Sequence, residues 1–288
     1  MRLCRFNDDR LGLVEGEDIL DVSRALQVLP VCSYPFPRHD PLIAHLPEVR
    51  AEIEKMRAGA APLERHKIGS VKLLSPVANP GKIVAAPVNY LKHLQEARED
   101  TGIHHQNQVG EIQRVGLFLK ATSSLEGASM PVSIARPDRR NDHEIELVAV
   151  IGKAGRHIPA AEALSHVAGY CIGLDMTVRG PEERSMRKSP DGYTVLGPWL
   201  TTADEIADVH ALDLLMQVNG EVRQRANTRD LVLNVAELIE FASSFYTLHP
   251  GDVLMTGTPE GVSQVFPGDR MRAEITGLGH IDVRMAEA

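Results

Sequence analysis

"RRNDHEIELVAVIGK", Arg139 to Lys153, is the stretch on which the fold turns. Its second half is a continuous apolar run closed by Gly152, the pattern of a buried strand. Its first half carries His143 and two carboxylates, Glu144 and Glu146. Residues i and i+2 of a strand point to one face, so the two acids stand side by side. Two like charges that close repel unless positive charge lies between them. Either this strand end is solvated and presents an acidic face, or a metal ion sits against it.

Outward from this run, the chain from about residue 76 to 288 reads as a series of short β-rich segments. They are "KIVAAPVNY", "GLFLKATSS", "AGYCIGLDMTV", "LLMQVNGEV", "DVLMTGTP", "DRMRAEITG" and "GHIDVRM". Helical spacing interrupts them at "AAEALSHV" and "NVAELIEFASSF". Strands at this density, with turn residues between them, predict an α+β chain dominated by β-structure, not a doubly wound one. Residues 1–75 read as a small α+β unit of their own: a strand at "MRLCRF", a hairpin at "LGLVEGEDILDVS", and a helix at "PLIAHLPEVRAEIEKMRAG". The Pro- and Gly-rich "KLLSPVANPGK" marks the boundary. The polar stretch "AREDTGIHHQNQVGEIQRV", residues 97–115, is a mobile lid or a long surface loop.

The 288 residues carry a formal net charge of -8, which argues against a nucleic-acid partner. The N-terminus has no apolar signal segment, and no run approaches the ~20 apolar residues of a membrane span. Cys4, Cys32 and Cys171 are scattered and lack metal or redox spacing, which fits a reducing compartment. The expected location is the cytoplasm.

Four groups of residues could carry chemistry. Asp175 ends the apolar strand "GYCIGLD"; with Glu144 and Glu146 it would form an all-oxygen site suited to Mg²⁺ or Mn²⁺, or to Ca²⁺. In "VNYLKHLQEAR", His93 and Glu96 are three apart and share a helix face. A carboxylate that accepts from one imidazole nitrogen leaves the other available as a base. In "VRGPEERSMRKSPDGYTVLGPW", Arg179, Lys188 and Tyr193 are partners for an anionic substrate or simply solvated loop residues. In "MTGTPEGV", the turns at Gly257 and Gly261 and the hydroxyl of Thr258 suit an anion, or make a plain hairpin. No nucleophile elbow, dinucleotide fingerprint or zinc-protease helix is present in the sequence.

Taken in order, "NYLKHLQE", "GLFLKATSSL", "HEIELVAVIGK", "GYCIGLDMTVR", "KSPDGYTVLGPWL", "VNGEVRQ" and "LHPGDVLMTGTPEGV" resemble the fumarylacetoacetate hydrolase family across residues 82–285. Residues 1–75 resemble the small extra domain of many bacterial members. The resemblance implies a mixed β-sheet roll around a metal site, usually in a homodimer. It implies that Glu144, Glu146 and Asp175 hold a divalent cation. It further implies that His93 and Glu96 form a dyad on a closing lid, and that Lys188 and Thr258 contact the substrate. Tyr90, Arg179, Tyr193 and Gly257 are further candidate substrate contacts. The implied reaction is hydrolysis of a carbon–carbon bond in a 2,4-dioxo acid such as an acylpyruvate or fumarylpyruvate, with pyruvate leaving as an enolate on the cation. Decarboxylation of oxaloacetate and isomerisation or hydration of an unsaturated 2-oxo acid are alternatives on the same site; a metal-binding protein without turnover is the alternative of a different class. Three departures touch the pocket rim. Gly180 follows Arg179 where the family often has aspartate, "APVNY" replaces the usual opening, and Glu260 stands where a small residue is common.

Overall fold

The computed structural model describes residues 1–104 and 109–287. At its centre the strands Ile145–Ile151 and Val167–Asp175 form an antiparallel hairpin, with Glu146 opposite Gly173 and Ile145 opposite Leu174. Both strands are buried on both faces, and their side chains sort by parity. Ile145, Leu147, Ala149 and Ile151 enter one core, with Ile172 and Leu174 from the partner strand. Val148, Val150 and Cys171 enter a second core on the opposite face. The acids belong to this second face. Its apolar part is covered by the helix Leu46–Ala58, and its other end carries Glu144, Glu146 and Asp175.

The hairpin lies inside a twelve-stranded sheet. Beyond Val167–Asp175 comes Thr194–Thr202; beyond Ile145–Ile151 come Val253–Met255, Ile83–Ala85 and Phe118–Lys120. A five-stranded sheet packs on the first core. It includes the hairpin Asp213–Val218 and Glu221–Asn227, turned at Asn219 and Gly220, both with positive φ. Asn-Gly supplies that left-handed turn at little steric cost. A three-stranded sheet joins Asn141–His143 to Thr177–Val178 and Ser263–Gln264 beside the acids.

The N-terminal elements form as expected: the strand Arg2–Phe6, and the hairpin Arg10–Glu15 with Asp18–Asp21 around Gly16. They are hydrogen-bonded into the large sheet, because Arg2 and Leu3 pair with Thr201 and Leu200. The expected single helix over "PLIAHLPEVRAEIEKMRAG" is broken at His45 into Pro41–Ala44 and Leu46–Ala58. Pro47 fits the break: it has no N–H to continue the first helix, and it sits in the first turn of the second, where none is needed. The Asn234–Glu237 capping box starts the helix Val235–Phe245 where the sequence placed it. Of the polar stretch 97–115, expected as a lid or surface loop, residues 105–108 lie outside the described residues. No helix among the described residues is long and apolar enough to cross a membrane.

Candidate active site

Asp175 lies directly across from Glu144, because the Asp175 N–H donates to the Glu144 carbonyl at 2.9 Å. Glu146 follows two residues on. Oxygens of the three carboxylates lie within 4.8 Å of one another, and all three residues are buried. Burial alone would drive such acids to hold protons. For Glu144, burial is outweighed by the Lys188 ammonium and the Arg179 guanidinium, which hold its carboxyl far below the usual range. For Glu146, burial and the Asp175 charge push the carboxyl well above the usual range, against the pull of Lys188.

One oxygen of Glu146 accepts from the Gly257 N–H at 2.7 Å. The other, Oε1, is buried with no hydrogen-bond partner among the described residues. An orphaned buried carboxylate oxygen beside two more carboxylates fits a hard divalent cation in both charge and donor type. A second grouping, Asp21, Glu64 and His66, makes no such case: Arg10 spans its two acids at 3.1 and 3.3 Å, and Glu64 is exposed.

Lys188 donates to Glu144 at 2.6 Å and to Asp175 and Thr177 at 2.7 Å each. Arg179 donates to Glu144 and to Asp142, both at 2.8 Å. Asp142 in turn accepts from Arg140 at 2.7 Å, and Arg140 reaches Asp100 at 2.9 Å. Asp100 caps the C-terminal end of the helix Leu91–Glu99. Alternating charges therefore run from the end of that helix to the acids.

That helix carries the candidate dyad. His93 and Ala97 share its buried face. His93 Nδ1 lies 2.8 Å from Glu96 Oε2. With Glu96 accepting from Nδ1–H, a neutral imidazole would present its Nε2 lone pair. The second Glu96 oxygen accepts from the Gly261 N–H at 2.9 Å, which docks the helix onto the 257–261 turn. His93 lines a cavity of about 300 Å³ together with Glu144, Arg179 and Lys188. Pro87, Val88, Ile103 and Val109 add apolar wall.

The other expected contacts divide. Thr258 is buried, and its hydroxyl accepts from Gln224 at 2.7 Å while keeping its own proton to donate. Tyr90 is buried with its hydroxyl unpartnered among the described residues; burial and the Glu146 charge hold its phenol well above the usual range. Tyr193 is fully buried, and its hydroxyl donates to Asn141 at 2.6 Å and accepts from the Ala135 N–H at 3.0 Å. The Gly257 N–H donates to the chain's own Glu146. Gly257 and Gly261 both hold positive φ, and an added Cβ would sit 2.8 Å from Asn89 Cβ and 2.0 Å from the Arg223 carbonyl respectively. Gly180, one of the departures, has a plain reason. A Cβ there would fall 1.1 Å from the Arg139 guanidinium, which donates to the Arg179 carbonyl and to Glu182.

Sequence reasoning missed Lys120. Its ammonium pairs with Asp175 and donates to the Tyr193 carbonyl at 2.8 Å, fully buried. The signal was a lysine inside the apolar run "GLFLKATSS". Lys120→Met should cost ~3 kcal/mol or more in denaturant unfolding, the scale for breaking a buried ion pair. Added Mn²⁺ should restore part of that loss by taking over the charge of Asp175.

The family model "Fumarylacetoacetate (FAA) hydrolase C-terminal" matches residues 82–286. Identity to the maleylpyruvate hydrolase of Aquipseudomonas alcaligenes is 58% over 285 residues, 98% of each chain. Identity to a human mitochondrial oxaloacetate tautomerase is 37% over 238 residues, covering 78% of this chain and 73% of that relative. The crystal structure of maleylpyruvate hydrolase from Sphingobium sp. SYK-6, in complex with manganese(II) ion and pyruvate, matches over the whole of both chains with a TM-score of 0.84 at 40% identity.

Proposed function

Since the chain belongs to the fumarylacetoacetate hydrolase family, we propose that it is a divalent-metal-dependent hydrolase cleaving a carbon–carbon bond in a 2,4-dioxo acid, with maleylpyruvate as the first candidate substrate. The observation that carries this reading is one cavity lined both by Glu144, from a buried three-carboxylate cluster, and by His93, from a histidine–glutamate pair. A carboxylate cluster alone would serve a tautomerase or a decarboxylase equally well. A base oriented by a carboxylate has its clearest use in activating water.

Glu144, Glu146 and Asp175 would hold the cation, Mn²⁺ or Mg²⁺ and less fittingly Ca²⁺. When bound, it supplies polarisation of the 2-oxo acid and neutralises the charge that leaves with pyruvate. Glu96 orients His93, whose Nε2 takes a proton from water. The water oxygen attacks the C4 carbonyl. Lys188 turns one donor from a carboxylate to the developing oxyanion, with Thr258 and Tyr90 as further donors. The C3–C4 bond breaks with its electron pair going to C3, and a proton then completes pyruvate. Arg179 positions Glu144. The products are pyruvate and the carboxylic acid of the acyl group. The same reading places the chain in the cytoplasm as a homodimer; the free buried thiols of Cys4 and Cys171 suit a reducing compartment.

The test is a panel of maleylpyruvate, fumarylpyruvate, acetylpyruvate and oxaloacetate with Mn²⁺ or Mg²⁺ and a chelator control. Metal-dependent release of pyruvate with an equimolar carboxylic acid is expected. Enol–keto interconversion of oxaloacetate without cleavage of any 2,4-dioxo acid would replace this reading by a tautomerase.

A further inference from the structure

Four cationic side chains line the cavity: Arg179, Arg184, Arg187 and Lys188. Three are committed. Arg179 and Lys188 bind the acids described above. Arg187 donates to the carbonyls of Glu182 and Val178 at 2.8 and 3.1 Å. Arg184 differs. Among the described residues its guanidinium makes no ion pair and no side-chain hydrogen bond; it lies over the ring of Phe118, 5.6 Å from the centroid. The nearby acids are engaged elsewhere. Glu182 is held by Arg139 at 2.7 and 2.8 Å, and Glu183 accepts from the Ser185 N–H at 2.6 Å.

A half-buried guanidinium stacked on an aromatic ring, with its donors uncommitted and facing a cavity, is built to take a carboxylate in its fork. Its position says which carboxylate. Arg184 opens the short helix Arg184–Arg187, and the Lys188 N–H donates to the Arg184 carbonyl at 3.1 Å. Side chains four apart on a helix stand ~5–6 Å from one another. Lys188 sits over the same Phe118 ring, 5.7 Å from the centroid. Arg184 is therefore one helical turn from the lysine that marks the reacting end. That offset suits an anionic group a few bonds beyond the carbonyl under attack. The apolar wall of Pro87, Val88, Ile103 and Val109 suits the hydrocarbon between them.

We infer that Arg184 receives a second carboxylate at the acyl end of the substrate, so that the site selects 2,4-dioxo acids whose acyl group itself ends in a carboxylate. This rests on the hydrolase reading for the placement of the 2-oxo acid end at the three acids.

The experiment is calorimetric binding to the Mn²⁺-loaded protein of two uncleavable 2-oxo acids of equal length, 2-oxoheptanedioate and 2-oxoheptanoate, which differ in the distal carboxylate. Wild type should prefer the diacid by ~10-fold or more, the scale of a hydrogen-bonded charge pair. In Arg184→Gln the diacid should weaken to the level of the monoacid, whose affinity stays within ~2-fold of wild type on the same scale. Arg184→Lys should fall between, because it keeps the charge and loses the fork. Mn²⁺ affinity, read by electron paramagnetic resonance, checks that each variant keeps the site. A wild type without preference, an Arg184→Gln variant that retains the preference, or one that loses both ligands equally would each overturn the assignment. The measurement needs no turnover. A wild type that prefers the diacid but cleaves no 2,4-dioxo acid would remove the hydrolase reading and leave Arg184 as the carboxylate receptor.

Discussion

Glu146→Ala is expected to remove metal-dependent turnover, lowering kcat/KM by ~10³-fold or more. A Lewis-acidic cation is worth several kcal/mol at the transition state, and each 1.36 kcal/mol is tenfold. Glu146 is the most exacting choice among the three acids. Glu144 and Asp175 are tied to Lys188, so their loss would also leave a buried ammonium short of partners. Glu146 is tied to one backbone N–H and has an oxygen to spare. Burial and the Asp175 charge both disfavour its ionised form. Removing it should therefore leave the metal-free protein at least as stable as wild type, while Mn²⁺ affinity collapses. Calorimetric Mn²⁺ titration and thermal unfolding in chelator measure the two effects separately. Turnover that survives Glu146→Ala in chelating buffer would remove the carboxylate cluster from the mechanism.

His93→Ala should behave in the opposite way towards the metal. Hydrolysis should fall ~10²- to 10⁴-fold, the usual range for a positioned general base, while Mn²⁺ affinity stays near wild type. The imidazole is buried and faces the cavity, but its hydrogen bond is to Glu96, not to the three acids. Glu96→Gln should give an intermediate loss. The amide oxygen can still accept from Gly261 or from Nδ1, but the charge that stabilises the imidazolium is gone. A His93→Ala variant with wild-type hydrolysis would leave the dyad without a role and return the site to the chemistry of an enolate alone.

The two strands that decide the fold were legible because buried strands with acids at one end break the apolar pattern visibly, as at Glu144, Glu146 and Asp175. Parity on the pleat placed Glu144 and Glu146 side by side; the register that brings Asp175 to them is seen in the structure, where oxygens of all three lie within 4.8 Å of one another. The partner of Lys120 was not legible, since nothing local tells that a lysine 55 residues before Asp175 in the chain pairs with it. The same holds for Asp142, whose partner Arg179 lies 37 residues away. The glycine turn was legible as an anion site, but its anions are the protein's own carboxylates: Gly257 holds Glu146, and Gly261 holds Glu96. The partners of the Tyr193 hydroxyl, Asn141 and Ala135, lie 52 and 58 residues away and were not legible either. The N-terminal unit was readable element by element, but its docking onto Leu200 and Thr201 is a long-range pairing that no local pattern encodes.

The most direct test of the central claim is to follow the oxygen of water. Maleylpyruvate would be turned over in H₂¹⁸O with Mn²⁺, and the products analysed by mass spectrometry at low conversion. Hydrolysis at this site predicts one heavy oxygen in the carboxylate newly formed from the acyl group. Pyruvate release without label in the acyl product, or substrate recovered only as its tautomer, would contradict it.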